Sequence, residues 1–193
     1  MNERIVRECL HKMMVEGLGL DLNDPNLSLT PDRIARAYCR EFFSSLDVDN
    51  TPKLTSFPNE RNYDEIILLD NIPFVSICSH HFLPFPGLAW FLYVPDESLI
   101  GASKPSRAIE FFSKYPQLQE NISTQVVDHF MEEIEPKGVM LVMRAVHNCM
   151  SCRGAKTGPN AGMVTSITRG CFRDNLSTRM EALSLIQLSL TFK

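Results

Sequence analysis

The chain has 193 residues, of which 44% are hydrophobic and 22% are charged, and its formal net charge is −4. These values are ordinary for a globular protein with one main core. A weakly negative chain without basic blocks argues against a nucleic-acid partner, because phosphate binding requires clustered Lys and Arg. No apolar run approaches membrane-spanning length, and residues 1–20 lack the apolar region of a signal peptide. We therefore expect no membrane partner and a cytoplasmic location.

The first part of the chain is predicted to be helical. Apolar residues recur at helical spacing over 2–16, before a stop at Gly17. A second helix is predicted with Thr30 as its N-cap and Pro31 in the first helical position, where a missing N–H costs nothing. Residues 46–62 are rich in Pro, Asn and Asp, which is typical of a loop. The predicted organisation is an N-terminal helical region over 1–61 and a main domain over 62–193.

The main domain alternates between β-rich and helical patterns. Two β-rich runs precede a helix with Ser103 as its predicted N-cap, and a longer helix follows Pro116. Two further strands are predicted over 139–150 and 163–172, and Thr178 and Glu181 form a capping box for a short final helix. The order strand, strand, helix, helix, strand, strand predicts an α+β domain. Its sheet should be antiparallel, with both helices on one face.

Six cysteines occur in a chain with no secretory signal, so metal ligands or buried thiols are favoured over disulfides. Cys78 and His81 follow a predicted strand with the spacing of two ligands. His147 and Cys149 are two apart on a predicted strand, so both should leave the same face. Cys78, His81 and Cys149 would offer two thiolates and one imidazole, a set that suits zinc and leaves the open fourth position typical of a catalytic site. Cys152, three residues after Cys149, should point to the opposite face.

The alternative for each of these residues is an ordinary core position. A Cys-x-x-His pair alone is weak evidence, buried free cysteines are common, and a lone histidine is usually a satisfied core residue. His11 and His129 lie in predicted helices and are interpreted as ordinary surface or core histidines. The convergence of the other three histidines with cysteines in two short segments favours a metal centre. His80 and His147 would flank the metal and carry protons near neutral pH.

Four motifs in order, "CSHHFLPFPG", "IGASKPSRAIEFFSKYPQLQENISTQV", "AVHNCMSCRG" and "TSITRGCFRDNLSTR", resemble the GTP cyclohydrolase I family. The resemblance runs from about Ile72 to the C-terminus, and "LTPDRIARAY" is similar to the family's N-terminal helix. It implies a tunnelling fold, in which the sheets of several subunits join into a barrel. It also implies a homo-oligomer, usually a decamer of two stacked rings, with active sites between subunits.

The resemblance also implies a role for each site residue. It matches the same three zinc ligands that spacing suggested, it makes His80 and His147 catalytic, and it assigns Ser103 to steps on the ribose. The substrate-binding positions that match are Glu120 and Gln119 for the guanine edge and Lys104, Arg107 and Arg153 for the triphosphate. On the residues alone, the charged positions among these would be interpreted as solvated surface groups. Lys104 and Arg107 also open a predicted helix, whose N-terminus favours anions.

The implied reaction is hydrolysis of GTP at C8 with Zn²⁺ activating water, loss of formate and rearrangement to 7,8-dihydroneopterin triphosphate. The chain departs from the family pattern at Ser79, where the family has Glu, and in the Gly- and Pro-rich segment 156–163. Two alternatives stay open. One is a hydrolase of the same fold that uses a related purine nucleotide or stops at the ring-opened formamide. The other is a non-catalytic zinc-stabilised subunit, against which His80, His147 and Glu120 argue. The product's destination, folate, another pterin or a 7-deazapurine, also stays open.

Overall fold

The computed structural model describes residues 1–46, 51–158 and 160–191. The chain divides into two units, Met1–Asn50 and Thr51–Lys193. Residues 47–50 of the predicted loop and Pro159 in the Gly- and Pro-rich segment lie outside the described residues. The boundary predicted between residues 61 and 62 falls inside the second unit. Part of the predicted loop forms a short strand there, β1 (Ser56–Pro58), which pairs with β4 (Ser98–Ile100).

The first unit is helical, as predicted. The side chain of Asn2 caps the first helix by accepting a hydrogen bond from the Ile5 amide. Thr30 is the first residue of the second helix and not its N-cap, because the cap position belongs to Leu29. Pro31 lies in the first turn, where its missing N–H costs nothing. The elements of this unit are α1 (Glu3–Lys12), a π-helical turn (Met13–Gly17), α2 (Thr30–Arg36), a second π-helical turn (Ala37–Phe42) and a 3₁₀ turn (Ser44–Leu46).

The second unit is built on a five-stranded sheet in the order β5-β2-β3-β6-β7. Neighbouring strands are antiparallel, except that β5 pairs in parallel with the end of β2. The strands are β2 (Ile67–Cys78), β3 (Pro84–Val94), β5 (Pro116–Gln117), β6 (Gly138–Ala145) and β7 (Met163–Gly170). The helices are α3 (Lys104–Ser113), α4 (Gln119–Ile134), α5 (Asn148–Ser151), α6 (Cys171–Asp174) and α7 (Leu176–Ser189). The predicted α+β order is confirmed, whereas β1, β4, β5 and the parallel pair were not predicted. Within the described residues, no helix combines the length and apolarity needed to cross a membrane.

The core lies on both faces of this sheet, because side chains alternate along β3 and β6. One face packs against α3 and α4, as the sequence predicted. The buried side chains of this layer include Phe91, Tyr93, Leu141, Met143, Ala108, Ile109, Ile122, Val126 and Phe130. The other face packs against α6 and α7, through Trp90, Leu92, Met140, Val142, Phe172, Ala182 and Ile186. The final helix therefore covers the face that the sequence analysis left open.

The final helix also begins earlier than predicted. Its N-cap is Asn175, whose side-chain oxygen accepts hydrogen bonds from the amides of Ser177 and Thr178. The predicted capping box of Thr178 and Glu181 is therefore wrong, since both residues lie inside the helix. An Asn cap satisfies the same orphan amides as Thr would.

The junction between β7 and α6 depends on Gly170. Its backbone has φ 58° and ψ −138°, a conformation that other residues rarely adopt. A Cβ at this position would also collide with the carbonyl oxygen of Lys137 and lie 2.9 Å from the Cα of Gly138. The chain can therefore leave the sheet at this point only with a glycine.

We predict that Gly170→Ala lowers the free energy of unfolding by about 1–3 kcal/mol, because it adds backbone strain and a backbone clash. Urea unfolding followed by fluorescence measures the change. Gly158→Ala is the matched control, since a Cβ at Gly158 would meet nothing within 4 Å. Equal unfolding midpoints for the two variants would contradict the prediction.

Candidate metal centre

The strand order brings two distant segments together at one end of the sheet. β2 and β6 both run antiparallel to β3, which lies between them, so they are parallel to each other. Ile77 near the end of β2 is opposite Pro84, and Ala145 at the end of β6 is opposite Gly87. Both strands therefore end beside the start of β3. The residues that follow them meet there.

A tight turn after β2 places His81 next to Cys78. The Phe82 amide donates to the Cys78 carbonyl at 2.9 Å, and the Cys78 amide donates to the Leu83 carbonyl at 2.9 Å. Phe82 has φ 53°, an uncommon conformation for a bulky residue. The turn leaves the Cys78 Sγ 3.9 Å from the His81 Nδ1. Two predicted ligands are thus neighbours.

The segment after β6 is a helical turn and not the predicted strand continuation. His147 precedes α5, and its carbonyl accepts from the amides of Met150 and Ser151 at 2.9 and 3.0 Å. The argument that His147 and Cys149 share a strand face is therefore wrong. Cys152 was expected to point to the opposite face of the same strand, and that prediction is wrong for the same reason. Cys152 is nevertheless exposed, and its Sγ donates to the Asn148 carbonyl at 2.7 Å.

Cys78, His81 and Cys149 form a group whose ligand atoms all lie within 4.8 Å of one another. It is the only group of three or more His, Cys, Asp or Glu of this kind among the described residues. Tetrahedral zinc bond lengths place a sulfur and a nitrogen ligand about 3.6 Å apart. The 3.9 Å between Cys78 and His81 therefore needs only a small adjustment. The donor atoms and their spacing fit a metal ion.

The two thiols of this group also favour a cation between them. Burial raises the pKa of Cys149, and the neighbouring Cys78 thiol raises it further, while the charge of Arg153 partly opposes the rise. Without a cation, two thiolates at this distance would repel each other. A bound metal ion would lower the pKa of both thiols, because it stabilises coordinating thiolates directly. This agrees with the chemistry of the donor set.

His147 is held rigidly beside the group. Its ring stacks on Phe85, with centroids 4.4 Å apart and planes 7° from parallel. Its Nε2 lies 3.0 Å from the Oε1 of Gln119. Burial lowers the pKa of His147, and the charge of Glu120 opposes that shift. The contact with Phe85 was not predicted, because the only signal of Phe85 in the sequence was its place at the start of an apolar strand.

Gln119 and Glu120 have opposite surroundings, although both were assigned to the guanine edge. Gln119 is fully buried, and its amide is occupied by contacts within the protein. Glu120 is exposed in the first turn of α4. It directly follows Gln119, whose side chain contacts the His147 ring. The guanine contact of each stays a prediction.

The remaining predicted residues surround the site less closely. His80 is exposed, with its ring centroid 6.2 Å from that of His81. Lys104 donates from its Nζ to the Lys53 carbonyl at 3.0 Å. No hydrogen bond or ion pair within the described ranges joins Ser103, Lys104 or Arg107 to the Cys–His–Cys group. Ser103, Arg107 and Arg153 are exposed.

A small cavity opens next to His147. It measures about 150 Å³ and is lined by His147, Met150, Thr157, Ala161, Gly162 and Met163. Pockets for small molecules are typically about 300–1,000 Å³. The cavity that the described residues form at this position is therefore smaller than a typical small-molecule pocket.

Comparison with known proteins places the chain in a family. A family model described as GTP cyclohydrolase I matches residues 7–187. A GTP cyclohydrolase 1 of Lysinibacillus sphaericus is 41% identical over 179 residues, which cover 92% of this chain and 93% of that protein. A GTP cyclohydrolase 1 of Carboxydothermus hydrogenoformans is 40% identical over 176 residues, which cover 91% of this chain and 90% of that protein.

A solved structure also matches at a lower level. It is the archaeosine synthase QueF-Like in the apo form, with TM-score 0.44 and 10% identity, covering 55% of this chain and 94% of that chain. The assignment of the chain rests on the sequence relatives and the family model, which extend over most of its length. The chain belongs to the GTP cyclohydrolase I family of enzymes.

Proposed function

We propose that the chain binds zinc through Cys78, His81 and Cys149 and converts GTP to formate and 7,8-dihydroneopterin triphosphate. The observation that carries the proposal is the convergence of the three ligand atoms within 4.8 Å, in a member of this family. Two thiolates and one imidazole suit zinc, and three protein ligands leave a fourth position open. When bound, zinc supplies Lewis-acid activation of water.

His147 and His80 are the proposed proton carriers. The ring of His147 is fixed by Phe85 and Gln119, and burial lowers its pKa, so it is mostly neutral near pH 7. A neutral imidazole can accept a proton from water and return it to a ring nitrogen of the substrate. His80 is exposed and can exchange protons with solvent. The two histidines thus differ in surroundings and can serve different steps.

The charged residues around the site are proposed to hold the nucleotide. The carboxylate of Glu120 can accept hydrogen bonds from the guanine ring N–H and the exocyclic amine, which adenine cannot provide in that pattern. Lys104 and Arg107 lie in the first turn of α3, and the positive end of a helix favours anions. With Arg153 they form the proposed triphosphate site. Ser103, at the N-cap of α3, is the proposed contact to the ribose.

We predict that the purified protein releases both formate and a fluorescent pterin from GTP. His80→Ala should slow turnover by roughly a hundredfold, the scale of general acid–base catalysis, and leave zinc content unchanged. Glu120→Gln replaces an acceptor by a donor that faces the donors of guanine. It should weaken GTP binding by about 1–3 kcal/mol. Enzymatic formate assay, pterin fluorescence and binding calorimetry measure these effects.

Two variants control for nonspecific damage. His11→Ala removes an exposed histidine from the other unit, and Glu133→Gln neutralises an exposed carboxylate elsewhere on α4. Both should behave like the wild type. Loss of the guanine absorbance with neither formate nor pterin would indicate an enzyme that stops at the ring-opened formamide. Formate without pterin would indicate that the formamide is hydrolysed but the pterin ring does not close. Neither product from GTP would refute the proposed reaction.

The metal assignment makes a separate prediction. Wild-type protein should hold one zinc ion per chain, and Cys149→Ser should lose it, because a serine hydroxyl is a poor substitute for a thiolate. Cys152→Ser is the matched control and should keep its zinc, since Cys152 is not part of the Cys–His–Cys group and its Sγ donates to the Asn148 carbonyl. Elemental analysis after gel filtration measures both. Full zinc occupancy in Cys149→Ser would exclude this ligand set.

We also propose that the protein forms a homo-oligomer. Among the described strands, β7 pairs only with β6, and β2 pairs with β5 only at Ile77 and Cys78. Open strand edges of this kind are templates for pairing with another chain. The apolar side chains left exposed on α7 are Leu176, Met180, Leu183 and Leu188. Exposed edges and apolar surface together support assembly.

We predict a mass in solution far above that of a dimer, with ten subunits as the expected number. Met180→Asp should reduce the mass, because it places a charge on the apolar surface of α7. Ser184→Asp is the control, since Ser184 is already polar and exposed on the same helix. Light scattering coupled to gel filtration measures the mass. A fully active monomer would contradict the proposed assembly.

A further inference from the structure

We propose that Gln119 is a positioning residue that sets which ring nitrogen of His147 takes part in proton transfer. The inference rests on the proposed role of His147 as a proton carrier. It gives Gln119 a function different from the guanine contact that the family resemblance implied. The two ends of the Gln119 amide face different partners, and these partners fix its orientation.

The nitrogen end of the amide can be assigned from its neighbours. Gln119 begins α4 and is 0% exposed. Its Nε2 lies 3.1 Å from the Met143 carbonyl, 3.3 Å from the Met163 carbonyl and 3.0 Å from the Thr165 Oγ1. Carbonyl oxygens only accept hydrogen bonds, so the group facing them must be the NH₂. The opposite orientation would place three oxygens against a fourth.

The oxygen end then determines the state of His147. The Gln119 Oε1 lies 3.0 Å from the His147 Nε2. An amide oxygen only accepts, so the Nε2 of His147 must carry the hydrogen. A neutral imidazole has one N–H, which leaves the lone pair on Nδ1. Nδ1 is therefore the atom through which neutral His147 accepts a proton.

Two hydroxyls hold the amide in this orientation. The Ser123 Oγ lies 3.1 Å from the Thr165 Oγ1 and donates to the backbone carbonyl of Gln119 at 3.1 Å. The Gln119 amide donates to Thr165, and the hydroxyls of Thr165 and Ser123 are hydrogen-bonded to each other. Ser123 also lies 3.3 Å from the Met143 Sδ, so both hydroxyls have partners within the protein. Polar chains of this kind are rigid when every member is satisfied.

The same contacts argue against a role in base recognition. A Gln119 amide turned toward a bound guanine would give up its contacts to Met143, Met163, Thr165 and His147 at once. Buried polar groups that lose their partners are costly. Glu120 is exposed beside it and is free to meet the base. The two neighbouring residues therefore have different roles. Gln119 orients His147, and Glu120 faces the substrate.

Kinetics and spectroscopy of Gln119→Met test the proposal. Methionine keeps the length and apolar volume but removes both ends of the amide. We expect kcat to fall about 10–100-fold, the usual scale for a residue that orients another, with KM for GTP unchanged. The ratio of kcat/KM between GTP and inosine triphosphate, which lacks the exocyclic amine, should also stay unchanged. Glu120→Gln, in contrast, should reduce that ratio.

A direct readout does not depend on activity. Long-range ¹H–¹⁵N spectra of the wild type, with ¹⁵N-labelled histidine, should show His147 protonated at Nε2 when the ring is neutral. His147→Ala identifies the signals. In Gln119→Met the preference for this tautomer should be lost. Gln125→Met, the matched control on the same helix, removes the hydrogen bond from the Tyr115 hydroxyl and should change neither the spectrum nor kcat.

The outcomes separate this inference from the proposed function. Absence of formate and pterin in the wild type would refute the proposed function, while the His147 spectrum still decides the tautomer. A wild-type ring protonated at Nδ1 would overturn the inference. So would a Gln119→Met variant with unchanged kcat, or one with raised KM and a lost preference for GTP. If Gln119→Met does not fold, Thr165→Val replaces it. This variant should also lower kcat. An unchanged kcat and an unchanged His147 spectrum in Thr165→Val would overturn the inference.

Discussion

Strand β3 holds β2 and β6 on either side of it, and the Cys–His–Cys group depends on that arrangement. Both outer strands run the same way, so the turn carrying His81 and the helix carrying Cys149 emerge at one edge. The centre of β3 is fully buried at Phe91 and Leu92, which fixes the register from both faces. A slip of one residue would turn every side chain of the strand to the opposite face. The same packing that forms the core therefore sets the distances between the ligands.

A buried polar chain extends this control to His147, the proposed proton carrier. Gln119 connects the start of α4 to β6 and β7 through Met143 and Thr165, and it contacts His147 at its other end. Buried polar groups add specificity only when all of them are paired, because an unpaired one is expensive. The apolar core brings the elements together, and this chain selects one arrangement among those the core would tolerate. The placement of the ring is thus a property of the fold and not of a flexible loop.

The sequence predicted the order of helices and strands from local patterns. It predicted the group of Cys78, His81 and Cys149 partly from a wrong argument. Periodicity and turn residues predicted α3, α4 and the four long strands because these signals are local. Cys78 and His81 could be paired since one turn joins them. Cys149 lies close to both of them although the strand argument was wrong, because α5 begins three residues after β6 ends. The stacking of Phe85 and the burial of Gln119 could not be predicted, since both depend on contacts between residues far apart in sequence. Local patterns carry no information about such contacts.

The exposure of the site links catalysis to assembly. His80, Glu120 and Arg153 face solvent in a single chain, and the cavity beside His147 measures about 150 Å³. Proton transfer and recognition of a triphosphate are both more effective where water is excluded, because charges interact more strongly there. The open edges of β2 and β7 and the apolar surface of α7 need cover for a different reason, since they invite unspecific pairing. In the proposed oligomer, neighbouring subunits that pair with these edges would satisfy both needs, by closing the sheet and by adding walls to the proposed nucleotide site.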